Sequence, residues 1–141
     1  MEFKTQQVGH VTSIAAAADL AYVHRFVGTD GNYAGAGVNP LGVLQMPVKS
    51  GEMVGVAIDG ILLVTASGAI SVGADVACAA NGKVAALAAL TATPPTGAVA
   101  VLSSGAQAAM TIAGGALPSK KVGFALDEAT TDGDVIRIVI R

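Results

Sequence analysis

The sequence predicts an all-β fold: a compact small barrel or sandwich of short strands with an extended N-terminal arm. Three observations predict it. Glycine-containing turn signals recur at short intervals, at Asp30-Gly31, Ser50-Gly51, Asp59-Gly60, Ser67-Gly68, Asn81-Gly82 and Asp132-Gly133. Between them lie Val- and Ile-rich segments of about four to nine residues, the length of strands joined by tight turns. In the last segment Ile136, Ile138 and Ile140 take one face while Val135, Arg137 and Val139 take the other, a period of two that no helix shares.

Taken in order, residues 1–12 are mostly polar and precede the first dense apolar stretch, so 1–19 reads as an arm and lead-in to a single domain over 20–141. Helix-forming residues crowd Ser13 to Ala21, whereas Tyr22 to Val27 alternates, and the conformation of the first part stays open. Met53 to Ile58, a turn at Asp59-Gly60 and the apolar Ile61 to Val64 read as one hairpin. Asp75 to Ala79, a turn at Asn81-Gly82 and Lys83 to Leu87 read as a second, because Asn-Gly is the strongest two-residue type I′ signal. The stretch 91–118 is of low complexity and reads as an insertion, with Ala98 to Leu102 and Ala108 to Ala113 as a candidate strand pair.

Composition narrows the function classes. With 141 residues, one domain is expected; 52% hydrophobic against 13% charged residues excludes a chain disordered throughout. Alanine and glycine supply the bulk, so the core is built of small side chains and buries little apolar area per residue. A homodimer or homotrimer is therefore expected. The net charge of −2, with no basic block, disfavours nucleic acid as a direct ligand. Mean hydropathy is high at +0.63, yet the longest unbroken apolar run in the uncharged stretch 84–119 is Val84 to Leu90. A spanning helix needs roughly 20 mostly apolar residues, so none is expected and no membrane partner is implied. The opening residues lack an apolar run and carry no signal-peptide pattern.

Chemistry-bearing residues are sparse. Cys78 is alone among small apolar residues and reads as buried filler, with neither a disulfide nor a multi-cysteine zinc site available. His24 shares an alternating face with Leu20, Tyr22 and Phe26 and reads as a hydrogen-bonded structural histidine. Asp127, Glu128, Asp132 and Asp134 form the densest acidic cluster, but their spacing fits no EF-hand and suits a solvated turn whose carboxylates accept from backbone amides. Lys120-Lys121 reads as a solvated face or as a pairing site for an acidic partner. Neither Gly35-Ala36-Gly37 nor Gly82-Lys83 completes a phosphate-binding loop, and no hydrolase signature occurs. No catalytic residue, cofactor or metal is expected.

Several glycine-centred stretches carry a family likeness: Arg25-Phe26-Val27-Gly28 with Asp30-Gly31, Leu41-Gly42-Val43, Gly51-Glu52, and Val56-Ala57-Ile58-Asp59-Gly60-Ile61. Ala66 to Val72 with Gly73-Ala74, Asn81-Gly82-Lys83-Val84, Val122 to Ala129, and Gly133-Asp134-Val135-Ile136-Arg137 continue it. Over about residues 20–90 and 120–141 the chain resembles the small capsid cement, or head decoration, proteins of tailed bacteriophages and prophages; the 91–118 segment departs from that pattern. The resemblance implies a non-enzymatic virion protein, made in the host cytoplasm, that binds the outer surface of the expanded capsid and clamps neighbouring major capsid subunits. Within the arm, Phe3, Lys4, Gln6, Gln7 and Val8 are the candidate capsid contacts, because such a segment can add a strand to a partner's sheet edge. Two other readings stay open: a tail or fibre-associated structural module, and a small β-barrel ligand carrier using His24, Asp59 or the Asp127 cluster.

Overall fold

The computed structural model describes residues 4–87, 91–93, 111–113 and 121–140. Among the described residues twelve strands carry the fold: β1 (Gln7–Val8), β2 (Val11–Ala15), β3 (Phe26–Val27), β4 (Gly42–Leu44), β5 (Met53–Ala57), β6 (Gly60–Thr65), β7 (Asp75–Cys78), β8 (Val84–Ala86), β9 (Thr91–Thr93), β10 (Thr111–Ala113), β11 (Lys121–Ala125) and β12 (Val135–Ile140). Among the described residues the only helical element is a 3-10 turn, Ala80–Gly82. The fold is all-β. A curled six-stranded sheet in the order β1-β6-β12-β11-β7-β8 forms half a barrel and faces a four-stranded sheet in the order β2-β5-β4-β3. β9 and β10 pair antiparallel with each other.

One ribbon joins the two sheets. β1 pairs with β6 in the register Gln7↔Ile61 and Val8↔Gly60, and β2 pairs with β5 from Val11↔Ala57 to Ala15↔Met53, so a single unbroken register runs from one sheet into the other. At the junction the Gly9 N–H donates to Asp59 O at 3.1 Å and the Ile58 N–H donates to His10 O at 2.9 Å. In a regular ladder the backbone groups of adjacent residues point to opposite sides; here Gly9 and His10 both bond the same facing segment, at Asp59 and Ile58, so the ribbon turns over and enters the second sheet. Glycine is required on both chains. A Cβ on Gly9 would fall on the Asp59 carboxylate, while Gly60 has φ +106° and a Cβ there would fall on Gln7 O.

This geometry corrects one expectation. Asp59-Gly60 is not a hairpin turn: β5 and β6 run on through it into different sheets. Within the stretch 1–19, residues 7–8 and 11–15 pair as edge strands of the two sheets. The second hairpin does form, β7 against β8 with Cys78↔Val84, and Asn81 (φ 57°) and Gly82 (φ 70°) supply the two left-handed residues of a type I′ turn. Ser13 to Ala21, left open by propensity, begins as β2 and continues without a helix. In the insertion, Thr111–Ala113 pairs with Thr91–Thr93. The expected partner, Ala98 to Leu102, lies outside the described residues.

Alternation within the four-stranded sheet builds two cores. Phe26, Val43 and Ala57 face the six-stranded sheet and pack with Leu62, Val64, Val76, Ile136 and Ile138. Their chain neighbours Val27, Leu44 and Val56 face the other way and pack under Ala16, Leu20 and Val48. Each fully buried Val, Leu or Ile contributes roughly 1.5–3 kcal/mol, and Phe26 is the one aromatic among the largest fully buried side chains. The core is thus made of small residues, as the composition implies.

Replacing Ile138, fully buried on β12, with alanine is expected to cost about 2–5 kcal/mol, whereas Val139→Ala on the opposite face should cost about 1 kcal/mol or less. Urea unfolding of the two variants checks this, and equal losses would refute the face assignment. Gly60→Ala, far from either core centre, should destabilise by more than the ~1 kcal/mol of an ordinary surface change, because both its φ and its space exclude a side chain.

Candidate interaction surface

The inter-sheet cleft lined by Phe26, Pro40, Leu41, Ile58 and Val122 encloses about 180 Å³, less than the roughly 300 Å³ at which small-molecule pockets begin. No group of three or more His, Cys, Asp or Glu that could hold a metal ion occurs among the described residues. Cys78 is buried, and burial pushes its thiol up to about 11, leaving it protonated and unreactive.

Three residues of the acidic cluster, Asp127, Asp132 and Asp134, serve the fold. Asp127 accepts from Arg137 Nε at 2.9 Å, Arg137 Nη2 at 2.8 Å and the Arg137 N–H at 2.9 Å, which pins the 126–134 loop to β12. The Arg137 guanidinium holds the Asp127 carboxyl down at about 2. Asp134 accepts from the N–H groups of Thr130 at 2.8 Å and Thr131 at 3.0 Å, and these bonds lower its pKa. Asp132 pairs with Lys83 at 2.8 Å. Lys121 pairs with Asp75 at 2.8 Å, while Lys120 lies outside the described residues.

His24 departs from its expected role. Its backbone is left-handed at φ 59°, which breaks the alternation read from Leu20 to Phe26: Tyr22 is 63% exposed while Phe26 is buried. The ring Nδ1 is buried without a hydrogen-bond partner among the described residues, and desolvation lowers the pKa. Asp59 binds His10 instead of lining a pocket. Its Oδ2 lies 2.7 Å from His10 Nδ1 and its Oδ1 accepts the His10 N–H at 2.6 Å, so the side chains clasp the ribbon where it changes sheet. The His10 hydrogen bond lowers the Asp59 pKa.

The candidate contact residues divide. Phe3 lies outside the described residues. Lys4 Nζ donates to Val135 O at 2.9 Å, and Gln6 bridges the sheets by donating to Gln45 Oε1 at 2.8 Å and accepting the Leu63 N–H at 3.4 Å. Gln7 and Val8 form the outer edge of the six-stranded sheet, and both are exposed. Two features carry interaction potential: the exposed β1 edge, and exposed Tyr22 joined to half-buried Arg25 and Tyr33, with exposed Met46 on the segment facing Tyr22, a grouping that reading the sequence missed. Arg25 lies between the two tyrosine rings, 4.5 Å from the centroid of Tyr22 and 5.6 Å from that of Tyr33. Linear spacing carried no signal for this cluster, because the left-handed turn at His24 assembles it.

The fold is similar to that of a phage head-fibre base. The chain superposes on the N base of the head fibre gp8.5 of bacteriophage phi29 with a TM-score of 0.61 and 18% sequence identity, over 94% of this chain and 93% of that one. No family model matches the chain, and no curated protein matches it.

Because the Asp127 pKa is depressed from 3.8 to about 2, the pair's contribution is fully present above pH ~4 and is lost as pH falls through ~2. Asp127→Asn is expected to lower stability by roughly 2 kcal/mol at pH 7 and to flatten the acid limb between pH ~4 and ~2. Urea midpoints measured across that range check it; an unchanged acid limb would remove the pair from the account of acid stability.

Proposed function

We propose that this chain is a structural protein of a phage head, seated on the outer surface of the expanded capsid, where it binds major capsid subunits and reinforces their contacts. The observation that carries the reading is the fold likeness to the head-fibre base, which spans nearly the whole of both chains. The structural pairing of Asp127, Asp132 and Asp134, the buried thiol and the small inter-sheet cleft support a role without catalysis. Adhesion to a lattice needs no tuned active site, because many copies can make a weak individual contact effective. A second reading, the base of a surface fibre, is favoured by the same likeness and differs in what the chain carries outward rather than in where it sits.

Under this reading the exposed β1 edge, with Gln7 and Val8, receives a strand of the capsid subunit, and Lys4 and Gln6 hold that edge in place. Self-association as a dimer or trimer would multiply those contacts. Removing residues 1–12 would strip β1 and part of β2 from both sheets, so point substitution is the cleaner test.

The purified protein is expected to co-sediment with expanded heads of its phage and to raise their resistance to heat or chelators. Val8→Asp should abolish co-sedimentation while leaving the unfolding midpoint within about 0.5 kcal/mol of the parent. If the parent protein fails to sediment with heads, the capsid reading falls; if Val8→Asp binds as well as the parent, the β1 contact falls.

A further inference from the structure

Tyr22 and Met46 are exposed, and Arg25 and Tyr33, which contact Tyr22, are half-buried. Tyr33 Oη accepts the Tyr22 N–H at 2.7 Å and donates to Tyr22 O at 2.9 Å, which locks the two tyrosines together. The segment carrying Tyr22 is tied to the one carrying Met46 by the Leu20–Val48 bridge and by the His24 N–H donating to Leu44 O at 3.1 Å. Tyr22 and Met46 stand at the midpoints of these facing segments, 63% and 68% exposed. Tyrosine, arginine and methionine are the residue types enriched in interface centres.

The charge here is unanswered. Lys49, Lys83, Lys121 and Arg137 each pair with a carboxylate, and Lys4 Nζ donates to Val135 O. Arg25 pairs with none among the described residues; Nη1 reaches Asn81 O at 3.5 Å, and Nε is buried without an acceptor. Rings against the guanidinium shield it from water and strengthen any ion pair made at its remaining donors, whose planar fork suits a carboxylate. Strain is concentrated at the same place, in the left-handed His24 with its unpartnered Nδ1.

We propose that this surface docks a protein segment presenting an aspartate or glutamate beside an apolar side chain, the carboxylate on Arg25 and the apolar group on Tyr22 and Met46. The inference goes beyond the capsid reading and holds whatever assembly the chain joins. Its spectroscopic handle is built in, because the chain has no tryptophan and both of its tyrosines lie at this surface.

The test is a tyrosine-fluorescence titration of the whole protein with a capped peptide, Leu-Asp-Leu-Glu-Gly, against its Asn/Gln counterpart, up to millimolar concentration. A saturable change is expected with the acidic peptide and weakens as salt is added. Affinity should fall at least about tenfold for the amide peptide and for Arg25→Gln. Met46→Ser, an exposed change that leaves Arg25 in place, should weaken binding about threefold and serves if Arg25→Gln does not fold. Equal responses to the two peptides, no response to either, or parental affinity in the substituted proteins would overturn the proposal.

Discussion

Everything else in this molecule depends on the antiparallel ribbon of residues 7–16 and 52–61. Its register is constant from Gln7↔Ile61 to Ala15↔Met53, yet its two ends belong to different sheets. The change of sheet takes place where Gly9 and Gly60 remove side chains from a close backbone crossing and the His10–Asp59 pair holds the two chains together. From that crossing β6 continues into the six-stranded sheet, where β12 lies along its whole length, and β5 nucleates the four-stranded sheet. Two small sheets are thereby fixed face to face without a disulfide.

This arrangement explains how a chain so poor in large side chains forms a stable domain. The four-stranded sheet is covered on both faces, so adjacent residues such as Phe26 and Val27, or Val43 and Leu44, are all buried in one or other cluster. Burial per residue is raised by using both faces, which compensates for the small volume of alanine and valine. The few charged side chains tie loops to strands, as Asp127 does with Arg137 and Asp134 with the 130–131 backbone. Among the described cations Arg25, over the rings of Tyr22 and Tyr33, and Lys4, which donates to Val135 O, are the two for which no carboxylate partner is seen.

Two X-Gly pairs mark how far local reading reaches. Asn81-Gly82 and Asp59-Gly60 both separate apolar runs. In the first, both residues are left-handed and the chain reverses; in the second, Gly60 is left-handed, Asp59 is not, and the chain kinks onward. The difference arises because residues 7–16 arrive to pair along the full length of 52–61. Backbone hydrogen bonds between distant segments leave no side-chain signature, so no local pattern distinguishes the two. The Leu20 to Phe26 stretch is a parallel case: alternation placed Tyr22 inside, yet Tyr22 is exposed and His24 is left-handed.

By itself the sequence determined the all-β class, the buried face of β12, the type I′ hairpin, the small-residue core and the structural use of Cys78 and the acidic loop. Each follows from near neighbours: a period of two, a left-handed Asn-Gly pair, or a carboxylate within a few residues of free amides. Only the tertiary structure decided that the polar N-terminal stretch belongs to the sheets, that Asp59-Gly60 is a crossing, and that Tyr22, Arg25, Tyr33 and Met46 share one surface. Those outcomes rest on pairing between segments tens of residues apart, where the energy lies in backbone bonds common to every residue and the choice among partners is made by the fold as a whole.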